Sequence, residues 1–224
     1  MKQLIQIAGV IDIEEAKMLM QLGVDYLGFP LRLPVNKEDL TEEDAVKVIK
    51  TITPPHKAVL ITYLNNADEI INFCDLLNVK IVQLHGNISQ EELEKTKSSR
   101  PDLQIIKSLV VAENNYNELK KIIDTLSPWI DAYITDTFDP VTGACGATGK
   151  THDWSISKKI VETSPKPVII AGGLNPANVK KAIMEIHPAG VDVHTGVESK
   201  DGRKNYELVK KFVEESKEGF ALIK

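Results

Sequence analysis

Short runs of aliphatic and β-branched residues alternate with helical patterns eight times along this chain of 224 residues. The predicted strands are, in order, residues 4–8, 26–29, 58–63, 80–84, 103–109, 132–135, 168–170 and 191–193. The predicted helices are residues 13–22, 41 to about 51, 68–77, 89–97, 116–126, 155–163, 178–186 and 206–215. Strands that alternate with helices form parallel sheets, because each helix returns the chain to the same edge. The alternation therefore predicts an open doubly wound sheet or a closed barrel.

The turn after the first strand distinguishes these two architectures. A dinucleotide-binding doubly wound sheet carries G-x-G-x-x-G at this turn, whereas Gly9 stands alone here. Eight strand–helix units match the (β/α)8 barrel, which needs about 200 residues or more. No linker or low-complexity stretch divides the chain. We therefore predict an α/β fold, a single (β/α)8 TIM barrel domain over residues 1–224.

Composition and charge exclude several classes of function. The formal net charge of −5 provides no basic surface for nucleic acid. No apolar run approaches the roughly 18 residues of a membrane span, and the N-terminal residues lead directly into the first strand without a signal peptide. Cys74 and Cys145 are far apart and form no metal or redox motif. We expect a cytoplasmic protein, monomer or homodimer, that uses no metal or cofactor and acts on a small molecule.

The last two predicted strands both end in glycine-containing turns. Residues 168–170 lead into Ala171-Gly172-Gly173, and residues 191–193 lead into His194-Thr195-Gly196. Glycines allow backbone N–H groups to approach an anion, and barrels frequently bind phosphate after strands seven and eight. Alternatively, both segments are plain turns. We predict a phosphate cradle formed by Gly172, Gly173, His194, Thr195 and Gly196.

Other polar residues follow the remaining strands, at the face where barrel active sites lie. Strand alternation turns Ala8 and Gln6 inward together, and it does the same for His85 and Gln83. Asp192 lies between two valines and would be costly to bury without a partner, which favours contact with a ligand. Three further residues near this face also have interpretations that involve no ligand. Asp136 could cap a turn, His85 could be structural, and Lys107 is expected to extend to solvent.

A long glycine-containing loop runs from Thr137 to Trp154 and exceeds the usual length of a strand-to-helix connection. Its glycines would let it close over a ligand. We therefore predict a lid, with Thr148 and Gly149 nearest the site and Trp154 as a packing anchor.

Several motifs, in order along the chain, make it resemble the phosphoribosylanthranilate isomerase family of tryptophan biosynthesis. They are Q-L-H-G at 83–86, T-D-T at 135–137, G-A-T-G-K-T-H-D-W at 146–154, A-G-G-L at 171–174 with Asn178-Val179, and V-D-V-H-T-G-V-E at 191–198. The resemblance extends over nearly the whole length.

This resemblance implies an Amadori rearrangement of a phosphoribosyl-amine to an aminodeoxyketose phosphate. A general acid protonates the ring oxygen, the ring opens to a Schiff base, and a general base removes the C2 proton. By matching position, Asp136 would be the acid, and Gly172, Gly173, Thr195 and Gly196 would hold the phosphate. By matching position His85 and Asp192 would line the sugar site. Gln83, Arg32, Thr148 and Gly149 are further candidates for substrate binding, from strand parity, sequence proximity and the lid.

The chain departs from the family pattern at three points. The cysteine base of the family's K-I-C-G is replaced by Ala8, whose methyl group cannot accept a proton. The arginine of the family's S-P-R has no clear counterpart, since Arg32 lies nearby but out of register. The family's S-S-G is here His194-Thr195-Gly196. Loss of a positioned general acid or base lowers the rate by a factor of about 10²–10⁴, so we predict weak or altered activity.

Three functions remain open at this point. The first is the family reaction at reduced efficiency. The second is a paralogue that acts on another phosphosugar, with His194 or His85 as the substitute base because imidazole titrates near neutral pH, or more remotely with Cys145 on the lid. The third is a non-catalytic phosphosugar-binding protein.

Overall fold

Eight parallel strands form a closed barrel in the computed structural model, which describes residues 3–34, 38–137 and 154–223. The strands are β1 (Leu4–Ala8), β2 (Tyr26–Pro30), β3 (Lys57–Thr62), β4 (Ile81–Leu84), β5 (Gln104–Val111), β6 (Ala132–Thr137), β7 (Val168–Ile170) and β8 (Gly190–Val193). Each strand pairs with the next, and β8 pairs with β1. The predicted (β/α)8 fold is confirmed.

Helices surround this barrel in the predicted alternation. They are α1 (Ile13–Leu22), α2 (Glu42–Ile49), α3 (Ala67–Leu77), α4 (Gln90–Ser99), α5 (Tyr116–Leu126), α6 (Trp154–Thr163), α7 (Val179–Ile186) and α8 (Tyr206–Leu222). Two short 3₁₀ helices are at Ser127–Trp129 and Thr195–Val197. Side-chain caps begin most helices: Asp12 accepts from the N–H of Glu15, for example, and Ser89 from that of Glu92.

Strand alternation divides the buried side chains into two cores. One core lies between strands and helices, and the other fills the barrel with the residues Leu4, Ala8, Tyr26, Val59, Ile61, Ile81, Ile106, Ala132, Ile134, Ile169 and Ala171. Gln6, Gln83 and Asp192 share the inward parity of this second core and are buried. Polar side chains therefore form the upper layer of the barrel interior.

Helix α8 extends to Leu222, although the pattern had predicted an end at Glu215. Gly219 explains the difference, because a Cβ atom there would lie 3.2 Å from the Cβ atom of Ile183 in α7. Glycine is a poor helix former, yet here it allows the two helices to pack closely. A propensity-based prediction cannot anticipate this contact.

The predicted lid, with Thr148, Gly149 and Cys145, lies outside the described residues except for its two ends. Within the described ranges, no helix is long and apolar enough to cross a membrane. The same ranges contain no group of three or more His, Cys, Asp or Glu residues that could hold a metal ion.

Candidate active site

A series of polar side chains crosses the barrel at the C-terminal ends of its strands. Gln6 Nε2 in β1 donates to Gln83 Oε1 in β4 over 2.8 Å, and Gln83 Nε2 lies 2.8 Å from His85 Nε2. An amide nitrogen only donates, so His85 Nε2 accepts and the ring proton lies on Nδ1. That Nδ1 atom is 3.2 Å from Asp136 Oδ2, although the pair is not aligned as a hydrogen bond. The strands thus bring four of the predicted site residues into one network.

His85 and Asp136 are fixed by their surroundings at the end of this network. The ring of Tyr63 stacks on His85 with centroids 5.4 Å apart and planes 21° from parallel. Asp136 is only 4 % exposed at the end of β6. This burial and the adjacent imidazole suit a carboxyl group that exchanges a proton with a ligand in the mouth.

Lys107 is buried beside this network, so the prediction that it reaches solvent is wrong. Its ammonium group donates to the carbonyl oxygens of Leu84 (3.2 Å) and Ser108 (2.8 Å). Burial lowers the pKa of Lys107 to about 8, while the negative charge of Asp136 acts in the opposite direction. The flexible stem of Lys107 turns toward carbonyl groups at the strand ends instead of following the outward direction of its Cβ atom.

Asp192 is the second carboxylate of the mouth and lies on β8, in register with Gln6 of β1. Burial, and after it the charge of Asp136, raise the pKa of Asp192; a hydrogen bond from Gln6 and the charge of Lys204 oppose them, and the resulting pKa is about 7. Its Oδ1 atom has no hydrogen-bond partner among the residues that the structure describes. A buried acceptor without a partner is costly, so Asp192 is suited to meet a ligand.

Ala8 ends β1 in the barrel interior, two residues beyond Gln6. Its methyl group is closely packed, since a Cβ atom built on Gly28 would lie 3.2 Å from the Cβ atom of Ala8. The position carries no group that can accept a proton, as the sequence had indicated.

His194 packs over Gly9 beside the predicted cradle. A Cβ atom on Gly9 would lie 2.1 Å from His194 Nε2, and this nitrogen is 3.3 Å from Glu198 Oε1 and 3.8 Å from Asp39 Oδ2. Burial lowers the pKa of His194 to about 3, and the positive charge of Lys204 acts in the same direction. The imidazole is therefore neutral near pH 7, and its low basicity does not favour the predicted role as a base.

Lys204 and its neighbours form a buried charged cluster that sequence reasoning missed. Lys204 Nζ is 2.6 Å from Glu198 Oε1, and the backbone N–H of Lys204 donates to Glu15 Oε1 over 2.7 Å. Lys204 is only 6 % exposed. With Asp39 near His194, the cluster joins the first turn of α1 and the loops after β2 and β8. These residues come from distant polar segments, so no local pattern marks them.

The two glycine turns after β7 and β8 lie against each other, as predicted for a cradle. A Cβ atom on Gly196 would be 1.9 Å from the carbonyl oxygen of Leu174, so only glycine fits this contact. Gly172 and Gly173 adopt φ of 94° and 66°, and neither N–H donates to another residue within the described ranges. Two backbone donors are therefore available to an anion at this face.

Asn178 holds the first of these turns in place. Its Nδ2 donates to the carbonyl oxygen of Gly173 over 2.9 Å, and its Oδ1 accepts from the N–H of Asn175 over 2.8 Å. Sequence reasoning had assigned Asn178 only to the start of a helix. Its function is to fix the loop that carries the free donors.

Arg32, which the sequence had suggested for substrate binding, is engaged by the outer helices instead. Its Nε is 2.8 Å from Glu42 Oε1 and its Nη2 is 3.1 Å from Glu42 Oε2. Its Cζ atom lies 3.7 Å from the ring centroid of Phe73 in α3. A guanidinium group that is paired and stacked in this way is not presented to the mouth, so the geometry does not support that role.

Known sequences and structures share this fold and chain length. A sequence model of the N-(5'phosphoribosyl)anthranilate (PRA) isomerase family matches residues 5–215. The N-(5'-phosphoribosyl)anthranilate isomerase 2 of Methanosarcina mazei is 34 % identical over 217 residues, which cover 96 % of this chain and 95 % of the relative. The Aquifex aeolicus isomerase is also 34 % identical, over 95 % of this chain and 98 % of its own.

Solved structures agree with the sequence relatives. The phosphoribosyl anthranilate isomerase of Thermotoga maritima superimposes with a TM-score of 0.82 at 26 % identity, over 96 % of this chain and 99 % of that one. The extent of the family match and the identity to full-length relatives confirm the resemblance seen in the motifs. The chain belongs to the N-(5'-phosphoribosyl)anthranilate isomerase family.

Proposed function

We propose that this protein catalyses the Amadori isomerisation of N-(5'-phosphoribosyl)anthranilate, at a lower rate than relatives that carry the cysteine base. The observation that carries the proposal is the placement of two buried carboxylates, Asp136 and Asp192, at a mouth where the backbone N–H groups of Gly172 and Gly173 donate to no residue within the described ranges. A phosphate on those turns would extend the ribose across the mouth toward the carboxylates.

In this proposal Asp136 acts as the general acid. Its proton passes to the furanose ring oxygen, the bond between that oxygen and C1 breaks, and the nitrogen lone pair forms the Schiff base. His85 stands 3.2 Å from the carboxyl group and orients it. The C2 proton then leaves, and tautomerisation produces the ketose.

The lower rate follows from the two departures at the mouth. Ala8 contributes no proton acceptor at the end of β1, and Arg32 is paired with Glu42 instead of facing an aryl carboxylate. The absence of one positioned acid–base group costs about 10²–10⁴ in rate. Binding energy from the carboxylate of the anthranilate ring is lost in addition.

A specific observation favours a second candidate, a phosphoribosyl-amine whose amine part carries no carboxylate. The loops near His194 contribute acidic side chains from Asp39 and Glu198. Glu198 is paired with Lys204, but Asp39 adds a further negative charge at this side of the mouth. An anionic aryl group would be repelled there, whereas a neutral amine would not.

Turnover of freshly prepared phosphoribosylanthranilate by the purified protein tests the first proposal, with growth of a tryptophan auxotroph that lacks the isomerase as a cellular readout. We expect slow turnover that is abolished in Asp136→Asn. Turnover confined to a carboxylate-free phosphoribosyl-amine would support the second candidate. A thermal shift by phosphosugars without turnover of either compound would contradict both and indicate a binding protein.

A further inference from the structure

We propose that Asp192 is the general base that removes the C2 proton, in place of the cysteine that the family carries at the position of Ala8. This inference rests on the proposed function, because it names the base of that reaction. It also changes the assignment of Asp192, which the family resemblance places only among the residues that line the sugar.

The barrel register places Asp192 next to the missing base. β8 pairs with β1, and Asp192 is opposite Gln6. The next inward position along β1 is Ala8, so the Asp192 carboxylate lies beside and one layer beneath the end of that strand. A methyl group at position 8 leaves the carboxylate unshielded by a longer side chain from β1. Its Oδ1 atom is buried and makes no hydrogen bond to the described part of the chain.

The other basic or acidic side chains of the mouth are already engaged. His85 accepts from Gln83 and faces Asp136, and His194 packs on Gly9 near Glu198. Lys107 donates to two carbonyl oxygens, as noted above. Glu198 is held by Lys204 at 2.6 Å. Asp39 lies on the loop after β2, with its Oδ2 atom 3.8 Å from His194 Nε2. Asp192 is the carboxylate beside the end of β1, and its buried Oδ1 atom makes no hydrogen bond within the described ranges.

The charged groups around Asp192 suit this function near neutral pH. Burial and the charge of Asp136 from β6 raise the pKa of Asp192, whereas Gln6 from β1 and Lys204 from the connection after β8 lower it, and the resulting pKa is about 7. His85 from β4 reaches this region through Gln83 and Gln6. The carboxylate is therefore largely ionised above pH 7, and a base with a pKa near the working pH is efficient.

The proposed proton abstraction is balanced in atoms and charge, with Asp192 and the substrate as the reacting groups. Asp192 Oδ1 takes the proton from C2 of the Schiff base, and the C2–H electron pair becomes the C1=C2 bond. The π electrons of the C1=N bond return to nitrogen, which neutralises its positive charge. The protonated Asp192 then gives this proton to C1 as the enol becomes the ketone, and the enol O–H proton passes to Asp136, which ring opening had left as a carboxylate. Both carboxyl groups thereby return to their starting protonation states.

Four variants test this assignment: Asp192→Asn, Ala8→Cys, the double variant, and Asp124→Asn as a matched surface control. We expect Asp192→Asn to lower kcat about 100-fold or more. Its affinity for a reduced, non-isomerisable product analogue, measured by calorimetry, should stay close to that of the unaltered protein. Adding Ala8→Cys should restore at least about a tenth of the lost rate, because a thiolate then replaces the carboxylate. The kcat of the unaltered protein should rise with pH through about 7.

Three results would overturn the assignment. Full turnover in Asp192→Asn would show that the carboxylate is dispensable. Equal loss of turnover and analogue binding, without rescue by Ala8→Cys, would show that Asp192 only holds the sugar. A kcat that falls as the pH rises through 7 would make Asp192 the acid.

Failure of the proposed function looks different, because neither the unaltered protein nor Ala8→Cys would then turn over phosphoribosylanthranilate. If Ala8→Cys turns over phosphoribosylanthranilate and the unaltered protein does not, Asp192 is refuted as a working base, and the family substrate remains supported.

Discussion

Gly196 shows how a single hydrogen atom in place of a side chain shapes the proposed anion site. A Cβ atom there would lie 1.9 Å from the carbonyl oxygen of Leu174, so the two cradle turns touch only because position 196 has no side chain. Forcing extra atoms into such a contact costs about 1–3 kcal/mol. We expect Gly196→Ala to lower the free energy of unfolding by this amount and to weaken the binding of inorganic phosphate.

Gly202 supplies the control for this change. It adopts φ of 84° but has nothing within 4 Å of a Cβ atom, so Gly202→Ala is strained only through its backbone. Urea unfolding of both variants compares the two costs, and calorimetry with phosphate compares the binding. Equal phosphate affinity in both variants would contradict the placement of the cradle at Gly196.

Residues with short side chains were the easier ones to predict at this scale. Strand parity alone placed Gln83, Asp136 and Asp192 at the mouth, because it fixes the direction of each Cβ atom. Lys107 was placed wrongly because its long side chain bends toward carbonyl groups at the strand ends, which parity does not reveal.

The turn between β7 and α7 is the element on which the proposed phosphate binding depends. Asn178 stands at the start of α7 but makes no cap hydrogen bond to that helix. Its side chain instead bonds Gly173 and Asn175, as described above. Asn178→Ala should therefore cost about 1 kcal/mol of stability for each lost bond and lower phosphate affinity.

A second substitution at this site separates geometry from charge. Asn178→Asp keeps the acceptor for the Asn175 N–H but loses the donor to Gly173, and it adds a negative charge near the anion. Phosphate affinity, measured by calorimetry, should fall further than in Asn178→Ala. If both variants bind phosphate as the unaltered protein does, the turn after β7 does not carry the anion.

Hydrophobic periodicity predicted most of the helices and strands, but it did not predict all of their ends. β1 and α1 begin and end at the predicted residues, since Gly9 and Gly23 follow them directly. Strand β5 continues to Val111, beyond the predicted end at Leu109, because the whole of β6 pairs with residues 106–111 of β5. Helix α8 continues past Gly219 for the packing reason given above. Ends set by contacts with other elements leave no signal in the local sequence.

The proton equilibrium of Asp192 affects the stability of the whole molecule. Its pKa in the folded protein, raised from 3.8 to about 7, means that the folded chain binds this proton more tightly than the unfolded chain. The resulting stabilisation is complete below the ordinary pKa and is lost as the pH rises toward 7. Above pH 7 the ionised, buried carboxylate destabilises the fold, by an amount on the order of a few kcal/mol.

Asp192→Asn removes this dependence. We expect the variant to gain stability relative to the unaltered protein as the pH rises from about 4 to about 7, with a constant difference at higher pH. Urea unfolding of both proteins across this range measures the difference, and other titrating groups cancel in the comparison. A difference that does not change with pH would show that the folded pKa of Asp192 is close to its ordinary value.

The closed barrel was predictable from the count of strand–helix units, because each unit adds one parallel strand. The cluster of Lys204, Glu198, Asp39 and His194 was not predictable. It depends on how the loops after β2 and β8 meet at one face, and contacts over such long sequence separations are set only by the assembled fold.

The pairing of β1 with β8 also has a consequence for the nascent chain, because it joins the first strand to be synthesised with the last. Gln6 and Ala8 emerge from the ribosome first, whereas Asp192 and His194 follow roughly 10–40 s later at ordinary rates of synthesis. During that interval the backbone N–H and C=O groups of β1 lack the partners that β8 supplies, and such an open edge can pair wrongly with other chains. Substrate cannot protect the nascent chain, because its binding site does not exist until the final strand is in place.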